Sequence, residues 1–160
     1  MNLILIQAPL GDGSQRAETN QRLFPWGLAQ VARCLEDDGH QIEILDVYGL
    51  DMIREEILEY LDHANFDAAC ISAFASINYV FTSWLAKEIK TRYAKPVIVG
   101  GLLADHHYDL LLSSGYVDFC VLGEGERPSV DLMRNLHDPS KVKGVAYRRN
   151  GSIQVTEPQE

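Results

Sequence analysis

Along this chain the apolar positions switch period again and again, between short unbroken runs and helical spacing. "LILI" at 3–6, ended by Pro9 and Gly11, reads as a buried strand. In "PWGLAQVARCLEDDG" at 25–39, Leu28, Val31, Ala32 and Leu35 fall at helical spacing. Pro25 suits the first turn of that helix and Gly39 its stop. "QIEILDV" at 41–47 alternates as a strand. In "DMIREEILEYLDHA", Asp51 is expected to cap a helix that turns Ile53, Ile57, Leu58 and Leu61 to one face.

The alternation continues with a strand, "DAACISAF" at 67–74. The helix "INYVFTSWLAKEIKTRYA" should carry Ile77, Phe81, Trp84, Leu85 and Ile89 inward. "PVIVGG" at 96–101 is a strand ending in two glycines, and "HHYDLLLSSG" is a short helix closing on Gly115. "VDFCVLG" is the fifth strand and "RPSVDLMRNL" the last helix. The closing stretch "VKGVAYRRNGSIQVTEP" holds two alternating runs joined by Asn150-Gly151, a hairpin signal.

Strands alternating with helices call for an α/β fold: a parallel sheet covered on both faces. Right-handed crossovers then lead to a doubly wound sheet of order 2-1-3-4-5, with the C-terminal β-hairpin at an edge. The expected division is an α/β domain over 1–141 and a hairpin with the start of a linker over 142–160. Ligands of such sheets bind beyond the carboxyl ends of the strands. That rule selects the loops at 7–24, 72–78, 100–107 and 123–128.

Composition narrows the partners. Of the 160 residues, 23 are acidic and 14 basic, and the net charge is -9. Nucleic acid and anionic membrane surfaces both want clustered Lys and Arg, so neither is expected. No apolar run approaches the length of a membrane span. Cys34, Cys70 and Cys120 stand far apart without a CxxC pair. They read as buried thiols of a cytoplasmic protein.

The loops carry little catalytic chemistry. "GDGSQR" begins like a dinucleotide fingerprint, but Arg16 takes the third glycine position. No P-loop is present. A phosphorelay receiver fails as well, since the third strand ends in Ser72 and Ala73 rather than in aspartate. Ser76 suits a helix cap, while Ser72 either serves the fold or faces a ligand over the sheet. Gly100 and Gly101 leave room for close approach to the backbone. His106 and His107 read as exposed residues of a helix start, with no third ligand to make a metal site. Gly123, Glu124, Gly125 and Glu126 form a side-chain-poor turn before the last helix. Its two carboxylates favour the helix dipole and repel a free phosphate.

In series, "FPWGLAQVARCLEDDGHQIEILDV", "CISAFAS", "PVIVGG", "VDFCVLGEGE" and "VKGVAYRRNGSI" resemble the N-terminal cobalamin-binding-like domain of cobalamin-dependent radical SAM enzymes. The likeness covers nearly the whole chain. It implies a flavodoxin-like fold, also described as Rossmann-like, that holds cobalamin over the strand ends and faces a following radical SAM domain. Ser72 matches the family's serine after the third strand, with Ala73 and with Phe74 where the related pattern S-x-L has leucine. Gly100 and Gly101 match the GG past which the nucleotide tail runs. Gly123, Glu124, Gly125 and Glu126 match the GEGE turn.

The chain departs from the family in places. D-x-H-x-x-G is absent, and the first loop has no histidine. Leu102 and Leu103 stand where many relatives have a histidine. The cluster motif C-x-x-x-C-x-x-C is missing. The 4Fe-4S cluster and S-adenosylmethionine would therefore belong to a radical SAM domain downstream, the expected partner, and this piece would not be catalytic alone. The resemblance implies a module that holds cobalamin for methyl transfer or other radical chemistry. The other readings are a cofactor-free docking domain and an independent flavin or nucleotide binder.

Overall fold

A computed structural model describes residues 1–16 and 24–159, so residues 17–23 of the first loop lie outside the described residues. Seven strands build one sheet: β1 (Asn2–Gln7), β2 (Gln41–Asp46), β3 (Ala68–Ser72), β4 (Val97–Gly100), β5 (Phe119–Val121), β6 (Val145–Arg149) and β7 (Ser152–Val155). Their order is β2-β1-β3-β4-β5-β6-β7. The first five are parallel and the last two antiparallel. The expected order 2-1-3-4-5 is thus observed, with the hairpin added beside β5. Asn150 and Gly151 both take positive φ, 52° and 82°. That is the backbone of a type I′ turn, which their identities favour.

The helices are α1 (Trp26–Asp37), α2 (Val47–Leu50), α3 (Arg54–His63), α4 (Tyr79–Tyr93), α5 (Leu102–Ser113) and α6 (Glu126–Arg134). Alternation along the strands splits the core in two. Ile4, Ile6, Ala69, Ile71, Val97 and Val99 face α3, α4 and α5. Leu3, Leu5, Ala68, Ile98 and Val121 face α1 and α6. Each fully buried Leu or Ile in these layers contributes roughly 1.5–3 kcal/mol. Between α1 and α6 the backbones come close at Gly125, where a Cβ would stand 3.1 Å from Val31 Cγ2.

Several local expectations give way to tertiary structure. Asp51 does not cap α3: it takes a left-handed conformation (φ 55°) at the end of the one-turn α2. Asp46 is the capping aspartate, accepting the Gly49 amide at 2.7 Å. α3 begins later, where Glu56 accepts the Ile53 amide at 3.0 Å. Ile77 points outward and is 58% exposed, because a 3₁₀ turn over Ser76–Asn78 precedes α4 and shifts the helical phase. α5 starts at Leu102 rather than at His106. β3 stops at Ser72, which leaves Ala73 and Phe74 beyond the strand.

Candidate functional site

β1 pairs with both β2 and β3, and the chain winds outward in opposite directions from that point. The crevice of a doubly wound sheet opens at such a switch point. Gln7, Ser72 and Gly100 lie opposite one another in register across the carboxyl ends of β1, β3 and β4. By alternation, all three face the α1/α6 layer. None of them is fully buried.

Cys70 lies two residues below Ser72 on the same face, in the middle of the sheet, yet it too is only partly covered. A mid-strand position stays accessible there only if the helical layer leaves a gap. Burial pushes the Cys70 thiol up to about 12. Burial does the same to Cys120 on the opposite face. Both thiols are therefore poor nucleophiles at neutral pH.

The doubled glycine divides into two roles. Gly101 adopts φ 87° and ψ 180°, and a Cβ there would stand 2.6 Å from the Ala73 carbonyl oxygen. Its lack of a side chain serves the fold, so the expectation that both glycines make room for a ligand is corrected for Gly101. Gly100 differs: among the described residues, the nearest atom to its would-be Cβ is Val121 Cβ at 3.9 Å. Gly123 has nothing within 4 Å of that position among the described residues. These two glycines leave open space at adjoining strand ends, and Gly125 closes instead on Val31.

Ala73 is buried, and its carbonyl accepts the Leu103 amide at 3.1 Å. Phe74 is 64% exposed. Glu124 is exposed and Glu126 half-buried in the first turn of α6. Leu103 enters the core, whereas Leu102 stays exposed and does not plug the rim from within. At Asp12 and Gly13 the first loop packs against α3 and α4. Arg54 donates to the Asp12 carbonyl at 2.9 Å, and Gly13 lies against Phe81.

The rim also carries exposed apolar side chains. Leu10, Trp26, Phe74, Ile77 and Leu102 are all exposed, and all lie in segments that follow a strand's carboxyl end or open the next helix. Exposed apolar side chains of this kind suit a surface that another molecule covers. Two concavities lie elsewhere. One, of about 350 Å³, is lined by Glu43, Glu56, Glu59 and Tyr60, with Glu43 held by Tyr60 and Glu56 by Arg16. The other, of about 410 Å³, lies beside Asp118 at the opposite end of the sheet. Neither reaches the rim residues.

Three rim residues have roles that sequence reasoning did not assign. Asn78 is buried, accepts the Ala75 amide at 2.9 Å and donates to the Pro9 carbonyl at 2.5 Å. It ties the loops after β1 and β3 together at the switch point. Asp105 accepts the Gly123 amide at 2.7 Å. His107 is not an exposed residue of a helix start: it is half-buried within α5, its Nε2 3.2 Å from Ser76 Oγ. Ser76, expected as a helix cap, makes this contact instead. The polar residues are visible in the sequence, but their partners are 31, 69 and 18 positions away.

Known proteins bear on this geometry. The chain is 29% identical to the anaerobic magnesium-protoporphyrin IX monomethyl ester cyclase of Synechocystis sp., covering 99% of this chain and 33% of that protein. It superposes with TM-score 0.78 on the radical S-adenosylmethionine methyltransferase TsrM of Kitasatospora setae in a structure with cobalamin and a 4Fe-4S cluster bound. That match has 17% identity and covers 98% of this chain and 29% of the other. The cobalamin-dependent S-adenosylmethionine radical enzyme OxsB, in a structure with aqua-cobalamin bound, gives TM-score 0.74 at 14% identity, over 99% of this chain and 22% of OxsB. This chain therefore spans a third or less of each of these proteins. The family model described as the B12 binding domain matches residues 16–133, and the chain belongs to that family.

Proposed function

We propose that this chain is a cobalamin-binding module serving a radical SAM enzyme. The observation that carries the reading is the partly uncovered row of Ser72 and Gly100 with Cys70 beneath it. Small residues at the switch point keep side chains out of the space between the sheet and the α1/α6 layer, which we read as a slot. The site would hold a cobalamin in two parts: Ser72 and Gly100 would leave room for its nucleotide tail, and Phe74 and Leu102 would lie against its corrin ring. The free space at Gly100 and Gly123 is the kind a planar macrocycle with bulky side chains needs. Bound there, cobalamin would supply organocobalt chemistry such as methyl transfer, and the protein would hold and orient it.

The residues proposed to hold it are Ser72, Phe74, Gly100, Gly123, Glu124 and Glu126, while Ala73, buried on the other face, contributes only backbone. Gly101 and Gly125 act through the backbone spacing they permit. Membership of the family and the two-part fit favour this over a cofactor-free docking role. The iron–sulfur cluster and S-adenosylmethionine would be handled by a radical SAM domain, the proposed partner at the apolar rim. The test is gel filtration of the purified chain after incubation with hydroxocobalamin. Corrinoid absorbance should co-elute with the protein. A colourless protein peak would overturn the reading and leave the docking role.

A further inference from the structure

The first part of α5 is bonded to the loops on both of its sides. Asp105 Oδ1 accepts the Gly123 amide of the turn after β5, at 2.7 Å. His107 Nε2 lies 3.2 Å from Ser76 Oγ in the loop after β3. The Leu103 amide donates to the Ala73 carbonyl at 3.1 Å. α5 also leaves helical geometry at His107 (φ -137°, ψ 25°), with neither proline nor glycine at the break. Sharp kinks need a local cause, and here the break coincides with the contact to Ser76.

We infer that Asp105 and His107 are positioning residues for the corrinoid, an inference that rests on the cofactor reading above. Gly100 and Gly123 flank this helix start, and both present bare backbone to open space. An opening lined by backbone has no side chains that can adjust to a guest, so its width is set by how the loops are held. Asp105 holds the turn after β5, and His107 holds the loop after β3. Together they form a bracket that fixes the gap between the two. The Gly123 amide is thereby committed to the protein, and the turn contributes shape rather than that donor. The nucleotide tail has to pass the fixed gap, whereas a corrinoid lacking its nucleotide does not. The bracket therefore sets selectivity for the complete cofactor.

The test compares hydroxocobalamin with cobinamide, which lacks the nucleotide, by absorbance titration of the wild type, Asp105→Ala, Asp105→Asn and His107→Ala, with thermal unfolding of each. Asp105→Ala should weaken cobalamin binding by about tenfold or more while changing cobinamide binding by less than about threefold. Asp105→Asn keeps an oxygen acceptor and should restore wild-type affinity. His107→Ala should show the same preference loss, and it carries the test should Asp105→Ala fail to fold. Equal effects on both corrinoids, or none on either, would overturn the inference and leave the cofactor reading intact. A wild type that binds neither corrinoid overturns both.

Discussion

Gly101 and Ala73 touch backbone to backbone: a Cβ on Gly101 would stand 2.6 Å from the Ala73 carbonyl oxygen. The Gly101 conformation, φ 87° and ψ 180°, is nearly closed to other residues and costs on the order of 1–3 kcal/mol when one is forced into it. Gly100 has neither constraint. The two substitutions should therefore separate. Gly101→Ala should destabilise the fold by at least about 2 kcal/mol in urea unfolding. Gly100→Leu should leave the unfolding midpoint nearly unchanged and weaken cobalamin binding by about tenfold or more. Equal stability losses in the two variants would contradict this division of labour.

Asn78 is the polar pin of the switch point. Its side chain is buried and bonded at both ends, to the Ala75 amide and the Pro9 carbonyl. Asn78→Ala strands both partners, and an unsatisfied buried group costs roughly 1–3 kcal/mol. The expected loss is about 2–4 kcal/mol, and Asn78→Asp should lose stability too, since a carboxylate cannot donate to Pro9. Equilibrium denaturation measures both. A loss below about 1 kcal/mol for Asn78→Ala would show that water replaces the amide.

The strands were legible because their periodicity is set by burial, which the residues themselves determine. "LILI" is buried on both faces, and the Asn150-Gly151 turn demands the positive φ values it adopts. Helix starts were less legible, because they depend on which side chain reaches which amide. Asp46 and Asp51 are equally good caps on paper, and only the packing of Val47 into the core selects Asp46. The rim residues Ser72, Gly100 and Gly123 could be picked out by type and position. What could not be read was the split between Gly100 and Gly101, since the carbonyl that forbids a Cβ belongs to Ala73, just past the end of β3 and far back in the chain. The bonds from Asp105 and His107 were hidden for the same reason.

At the other end of the sheet, Arg134 of α6 forms a paired contact with Asp38 just past α1. This bond, with the attraction of the guanidinium, holds the Asp38 carboxyl below the ordinary aspartate value of 3.8. A depressed folded-state value means stability that is present above pH 3.8 and lost as pH falls through the lower, folded value. Arg134→Ala should therefore narrow the stability difference between pH 6 and pH 3 in urea titrations. The change should be small, because Arg134 is well exposed and water screens its charge. An unchanged acid dependence would show that Asp38 keeps its ionised form by other means.

Cys70 offers a direct probe of the slot. Three thiols differ in cover: Cys34 on α1 and Cys70 on β3 are partly accessible, and Cys120 is buried. The Cys70 thiol is also pushed up to about 12, so reagents that need thiolate meet very little of it at neutral pH. A small, uncharged thiol reagent should modify Cys34 first, Cys70 slowly and Cys120 only on unfolding, as read by mass spectrometry of the digested protein. Cobalamin whose tail fills the slot would cover Cys70 and leave Cys34 untouched. Saturating hydroxocobalamin should then slow Cys70 modification by about tenfold or more without changing the Cys34 rate. Cobinamide, lacking the nucleotide, should protect Cys70 far less. If cobalamin binds but Cys70 reacts at the same rate with and without it, the tail does not occupy the space between β3 and the α1/α6 layer.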